Sequence, residues 1–354
     1  MKKRVLVLLV VVAMIVALAG CSTTGPADTT ATTKATETQA TTSAGTTAPA
    51  EDQIVIGLTL MDYNFPFFQD MLAMAKLTAD KAGVKLVDLD GAGDVQKQLT
   101  GVEDMISGMK IDALFLNPVD TDAIGPATLE ANTANVPVVT VDVRSAKGEV
   151  VAHVASNNMD IGREAGKYAV ELLKKKYGSE KGVVLMMGYP QITSMRDRMA
   201  GFEEIISQYK DITLVKRDPI KLDVKEALSL MDDLIQTYPE GKLDVVFGAN
   251  ATNAVGIVSA SEAAGRKDYA IIGVDDDPEL LNALQREGSP FAATVVQYPT
   301  EMGRIGVELC IAAAKGETIP EKEVGTAIKL VTRDTIKQFL ADGAATQEMI
   351  KPYK

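Results

Sequence analysis

Asp, Asn, Arg and Gln recur in this chain at one kind of place, just after a short apolar run rich in β-branched residues. Asp62 and Asn64 follow the first such run, in the company of Tyr63, Phe65, Phe67 and Phe68. Asp90 follows the second, Asn117 the third, and Asp142 with Arg144 the fourth; later runs are followed by Gly188 and Tyr189, Asn250, Asp275 and Gln297. Planar carboxylate, amide and guanidinium groups can each bond two adjacent hydroxyls, which both donate and accept. An aromatic face covers the C–H patch that a sugar ring presents between its hydroxyls. The set therefore suits recognition of a sugar. Taken singly, an Asp or Asn here is more simply a helix N-cap, and Asp122 and Asp277 read only as caps or first-turn acids. The binding reading rests on how many such residues fall at one edge.

The elements that must position them alternate. Residues 54–60, 84–89, 113–116 and 136–141 read as strands, separated by helical spacing over 66–82, 95–109 and 121–134. A second series places helices at 161–177, 194–209, 224–238, 250–264, 278–286 and 301–314, with strands at 182–187, 212–216, 243–247, 269–274 and 292–296. Such alternation implies crossover connections and mostly parallel sheets with helices on both faces. In open sheets of that kind ligands bind beyond the carboxyl ends of the strands, where the residues above fall. Two series of similar size suggest two similar lobes.

Composition narrows the functions. The 354 residues carry 36 Lys and Arg against 48 Asp and Glu, a net charge of −12, which argues against a nucleic-acid or anionic-lipid surface. Two Cys exclude a disulfide-dense scaffold or a four-Cys zinc site, and a single His excludes a His-rich metal centre. That residue, His153, lies in a strand-like segment and reads as structural. The pair Gly91 and Gly93 follows a strand but the third glycine of a dinucleotide fingerprint is missing, with Gln96 in its place. There is no P-loop and no G-x-S-x-G elbow. Asp275, Asp276 and Asp277 could coordinate Mg²⁺, but Asp277-Pro278-Glu279 reads better as a helix start. No catalytic residue, cofactor or metal is expected.

The first segment reads as a secretory signal. Lys2, Lys3 and Arg4 precede an uncharged apolar run over residues 5–18, shorter than a comfortable membrane span. The ending Leu18-Ala19-Gly20-Cys21 resembles a bacterial lipobox, which makes residues 1–20 a signal peptide and Cys21 the expected lipidation site. Residues 22–50 contain 12 Thr and seven Ala without apolar periodicity. With no core to offset the ordering entropy, residues 21–52 are expected to form a disordered, lipid-anchored tether. Cys310 is then alone and reads as a small buried hydrophobe.

Several stretches resemble the periplasmic sugar-binding proteins of ABC importers, of the ribose-binding type. They are NFPFF at 64–68, NPVDTDAIG at 117–125, VPVVTVD at 136–142, KGEVVAHVASNN at 147–158, RDRMAGF at 196–202, FGANATNAVG at 247–256, GVDDDPE at 273–279 and ATVVQYP at 293–299. The resemblance covers roughly residues 53–332; LacI-type repressors share the fold. It implies an α/β fold of two doubly wound parallel-sheet lobes joined by a three-crossover hinge, the type I periplasmic binding protein architecture. Its crossings would lie near Ser156, Gln297 and Thr326. Lobe 1 would comprise 53–156 plus 298–326, lobe 2 157–297 plus 327–340, and 341–354 a C-terminal tail.

Carried over by position, the resemblance implies that Phe67 and Phe68 stack on the ligand beside Asn117 and Asp142. From the second lobe come Arg198, Asn250 and Asp275, with Gln297 at the hinge; Asn64, Phe65, Arg144 and Tyr189 are further candidates. Phe65, Val143, Leu222 and Val274 depart from the ribose-binding pattern, each removing a hydrogen-bonding or stacking group, so a different monosaccharide or a polyol is expected. The implied protein is a monomeric, lipid-anchored extracytoplasmic lipoprotein that hands its solute unchanged to an ABC permease. Rival readings are a sensory binding protein serving a membrane kinase, a LacI-type regulator, and a secreted sugar-active enzyme. The regulator would need a DNA-binding segment ahead of Gln53, where the signal and tether stand instead.

Overall fold

The computed structural model describes residues 53–354. The signal peptide, Cys21 and the tether lie outside the described residues. The first sheet has the order β11-β5-β4-β3-β1-β2. In chain order its strands are β1 (Val55–Leu60), β2 (Lys85–Asp90), β3 (Ala113–Leu116), β4 (Val138–Val141), β5 (Ala152–Ser156) and β11 (Glu323–Thr326), all paired in parallel. The second has the order β12-β10-β9-β8-β6-β7. It comprises β6 (Gly182–Met187), β7 (Ile212–Arg217), β8 (Val245–Gly248), β9 (Ala270–Val274), β10 (Phe291–Gln297) and β12 (Ile328–Thr332), of which only β12 runs antiparallel to its neighbour. Strands buried on both faces explain the near-continuous apolar runs in the sequence.

Helices cover both sheets. In the first lobe they are α1 (Pro66–Ala82), α2 (Val95–Ser107), α3 (Gly125–Thr133) and α9 (Pro299–Ala314). In the second they are α4 (Asn158–Tyr177), α5 (Thr193–Ile206), α6 (Val224–Thr237), α7 (Ala251–Ala263) and α8 (Pro278–Gln285). Local signals set their ends. The Asn157 side chain caps α4 through the Asp160 amide, Lys174 to Lys176 oppose the negative end of its dipole, and Gly178 closes it at φ +70°. Asp94 caps α2 through the amides of Gln96 and Lys97.

The chain passes between lobes three times, between β5 and α4, between β10 and α9, and between β11 and β12. This is the hinged two-lobe architecture that the resemblance implied. Two of the crossing strands are tied by Ser156 Oγ and Thr326 Oγ1 at 3.0 Å.

Beyond β12 the structure departs from expectation. Residues 341–354, read from sequence as a tail, form most of helix α10 (Ile336–Ile350) and a closing 3₁₀ turn. Phe339 packs on the core of lobe 2, while Ile350 and Tyr353 pack on Ala73, Met74 and Leu77 of α1 in lobe 1. Gln347 Nε2 donates to Asp70 Oδ2 at 2.7 Å, and Lys354 pairs with the same carboxylate. The helix thus touches both lobes. Its less exposed positions recur on one face at Ile336, Phe339, Gly343, Thr346 and Ile350, but the Gly and Thr in the middle interrupt the apolar pattern that would mark the stripe in sequence.

Candidate functional site

The carboxyl ends of the two sheets face a shared cavity of about 470 Å³, within the ~300–1,000 Å³ of small-molecule sites. It is lined by Asn64, Phe65, Phe67, Phe68 and Asp142 from the first lobe and by Arg198, Asn250, Asp275 and Gln297 from the second.

Arg198 is the best-held of these. It is buried, with Nε donating to Asn158 Oδ1 at 2.7 Å and Nη1 to the Ala249 carbonyl at 3.2 Å. Nη2 is left without a protein partner among the described residues. The backbone that carries it is fixed by close approach of α4 and α5. A Cβ on Gly162 would lie 2.0 Å from the Arg198 carbonyl oxygen, and one on Gly201 would lie 2.1 Å from that of Met159. Only glycine allows the two helices this near, and that contact sets the depth to which Arg198 reaches.

Asp142 and Asp275 follow β4 and β9 directly, and both have left-handed backbones, at φ +61° and +79°. Such angles are uncommon for residues other than glycine and cost free energy unless the surroundings enforce them. Here they turn a carboxylate off the end of a strand into the cavity. Asp275 accepts from the Ala251 amide at 3.2 Å and from Gln297 Nε2 at 2.7 Å. Asp142 Oδ1 and Gln297 Oε1 are buried without a partner. A buried polar oxygen in that state costs roughly 1–3 kcal/mol, so both are poised to accept from a guest. Burial pushes the Asp142 pKa up to about 6; Arg198 opposes the rise and Asp275 adds to it. Asp276, on the same rim, is pushed up to about 7 by burial, then by Asp275 and Asp70.

The aromatic wall starts at a helix that breaks a local rule. Phe65 occupies the N-cap of α1, where a small polar residue is usual, and makes no side-chain cap. Its ring meets Phe68 edge-on at 6.2 Å, and Phe67 meets Phe68 edge-on at 5.2 Å. Phe68 is largely buried support, whereas Phe65 and Phe67 are partly exposed. Asn250 caps α7 through the Asn253 amide at 3.1 Å and also lines the cavity, so cap and lining roles coincide in one residue.

Three expected residues are placed elsewhere. Asn117 is fully buried, accepting from the Met61 amide and donating to the Val141 carbonyl, both at 2.9 Å. It braces the loops that carry Phe65 and Asp142 without lining the cavity. Arg144 pairs with Glu323 on an exposed edge. Tyr189 packs against the core shared by the lobes without lining the cavity. Asn64 is exposed at the rim, with its amide on Asp62 Oδ1 at 2.8 Å.

Sequence reasoning did not single out Met61, Ile192, Met195 or Asn158. A signal for two of them existed: Ile192, Met195 and Arg198 recur every three residues, so they share one helix face. Asp277 caps α8 through the Glu279 amide, and among the described residues no group of His, Cys, Asp and Glu is placed to hold a metal ion.

A family profile described as periplasmic binding protein domain matches residues 56–318. The chain belongs to the periplasmic binding protein family. Over 281 residues it is 34% identical to the ribose import binding protein of Escherichia coli K12, covering 79% of this chain and 91% of the relative. Two solved structures superpose closely. A carbohydrate transporter solute-binding protein from Agrobacterium radiobacter, in complex with D-arabinose, gives a TM-score of 0.75 at 26% identity, covering 84% of this chain and 99% of that one. An ABC transporter solute-binding protein from Bacillus halodurans C-125, with bound myo-inositol, gives 0.74 at 26% identity, covering 82% and 98%.

Proposed function

We propose that this periplasmic binding protein captures a monosaccharide or related polyol between its lobes and delivers it, chemically unchanged, to an ABC permease. The observation that carries the reading is the set of unsatisfied polar atoms around one cavity: Asp142 Oδ1, Gln297 Oε1 and Arg198 Nη2, opposite the partly exposed rings of Phe65 and Phe67. Hydroxyls of a guest would complete these bonds, and ring C–H groups would cover the aromatics. The ribose, D-arabinose and myo-inositol associated with the relatives belong to the same chemical class. The departures at Phe65, Val143 and Leu222, all of which line the cavity, argue against ribose itself. A site built around hydroxyl bonds discriminates strongly when partners go unpaired.

Capture works by hinge closure. Thr121 Oγ1 of lobe 1 and Thr193 Oγ1 of lobe 2 lie 2.9 Å apart, and Ile192 and Met195 join the core of lobe 1. Such contacts are compatible with a closed state, which a bridging ligand would favour by binding it more tightly than the open one. A hexose of about 12 heavy atoms at ~0.7 kcal/mol per atom gives of order 8 kcal/mol, roughly micromolar. The protein would act outside the cytoplasm, tethered through a lipid on Cys21.

A thermal-shift screen of monosaccharides and polyols tests the proposal. A ligand at 100 times its Kd adds about 2.7 kcal/mol, which should raise the Tm by several degrees. No shift with any member of either class would overturn the ligand class.

A further inference from the structure

The cavity wall is divided by chemistry, and the division follows strand order. In lobe 2 the residues at the carboxyl ends of the hinge-side strands β10, β9 and β8 are Gln297, Asp275 and Asn250. The loops after the outer strands β6 and β7 supply Ile192 and Leu222 instead. Lobe 1 mirrors this, with Asp142 after the hinge-side β4 and Met61, Phe65 and Phe67 following the outer β1. Arg198 starts from α5 but reaches to the hinge side, since its partners are Asn158 and the Ala249 carbonyl. Within the polar half, Asp275 accepts from both the Ala251 amide and Gln297. Its counterpart is a single apolar cluster in which Ile192, Met195 and Leu222 pack with Met61, Phe65 and Phe67 across the lobe boundary.

We propose that the ligand is a polyhydroxylated ring with one deoxygenated or methylated edge, a 6-deoxyhexose or an O-methyl polyol. Its hydroxyls would face Asp142, Arg198, Asp275 and Gln297, and its apolar edge would lie against Ile192, Met195 and Leu222. This deepens the proposed function and rests on it. The physical reason is the scarcity of hydrogen-bonding side chains in the apolar half: beside it Asn64 has its amide on Asp62, and Ser194 also lines the adjoining cavity that Asp142 borders. A hydroxymethyl group buried there would leave water without regaining its bonds, whereas a methyl group gains from burial. Apolar pockets discriminate between such pairs by roughly ten- to a hundredfold. Leu222 and Ile192 are then specificity-determining residues, and the departure at Leu222 follows from the methyl group it must meet.

Isothermal titration of the full chain with matched pairs tests this. The pairs are D-galactose with D-fucose, D-glucose with 6-deoxy-D-glucose, L-mannose with L-rhamnose, and myo-inositol with its mono-O-methyl ether. In at least one pair the deoxygenated or methylated member should bind at least tenfold more tightly. Leu222→Gln, at a partly exposed position, should narrow or reverse that ratio by supplying a donor and an acceptor. Equal or tighter binding of the hydroxyl-bearing member in every pair that binds would overturn the inference while leaving the sugar reading intact. No binding by these compounds or by any other sugar or polyol would overturn both.

Discussion

Replacing Asp142 by Asn separates what this carboxylate does for a ligand from what it does to the fold. The residue is 8% exposed, holds φ +61°, and has one oxygen without a partner. Burial raises its pKa from 3.8 to about 6, with Arg198 opposing and Asp275 adding. Between about pH 4 and pH 6 the folded state therefore binds more protons than the unfolded state, and this group's contribution to stability falls as pH rises through that window. At about 1.4 kcal/mol per pH unit, the ionised carboxylate costs the ligand-free fold about 3 kcal/mol at pH 7. Asn has nearly the same shape, tolerates a left-handed backbone and cannot ionise. Asp142→Asn should accordingly exceed the parent in stability by up to about 3 kcal/mol at pH 7. The gap should close by about pH 4, and ligand binding at pH 7 should be largely lost. Urea denaturation at four values from pH 4 to pH 7, with a ligand titration at pH 7, reads both effects. His153 imposes an opposite slope, because burial pushes its pKa down to about 4, but it is common to both proteins and cancels in the difference. A variant no more stable than the parent at pH 7, or a difference constant across the range, refutes the reasoning.

Other perturbations have equally definite outcomes. Arg198→Ala should weaken binding at least a hundredfold, and Arg198→Lys should not restore it, since a lone ammonium cannot span Asn158, the Ala249 carbonyl and a ligand at once; isothermal titration reads this. Gly162→Ala should both destabilise the fold and weaken binding, because the added carbon meets the Arg198 carbonyl at 2.0 Å and must push α5 back; unaltered affinity in a folded variant would show that the α4 and α5 contact does not position the guanidinium. Replacing buried His153 by Gln should remove a loss of stability that sets in as pH falls from about 6.5 toward 4, a window in which the unfolded chain takes up the proton first. Asp70→Ala should destabilise by roughly 1–3 kcal/mol by freeing Gln347 and Lys354, loosening α10 from lobe 1; hydrogen exchange along residues 345–354 would register it.

The sheets and most helices were legible because their signals are local. β-branched runs, Pro at the first helical turn and Gly at the end mark their own boundaries. The edge residues were legible only as a group. Asn250 and Asn117 occupy equivalent places after strands, yet Asn250 lines the cavity while Asn117 turns inward to brace two loops. Which way an amide turns depends on the packing of neighbouring strands, and that is not written at the residue. Arg144 was a further binding candidate, but its partner, Glu323, is 179 residues away in sequence. The clasp of α10 on α1 likewise joins residues more than 270 positions apart. The apolar half of the cavity was half visible: Leu222 and Val143 stood out as departures, but the wall they form with Ile192 and Met195 exists only once both lobes are assembled.

The most direct test is a crystal structure of the protein with its tightest ligand from the sugar and polyol panel. It should show one molecule between the lobes, with hydroxyls donating to Asp142 Oδ1 and Gln297 Oε1 and accepting from Arg198 Nη2, and with C–H groups against Phe65 and Phe67. A ligand bound elsewhere, or one that leaves Asp142 Oδ1 and Gln297 Oε1 still unpaired, would contradict the account.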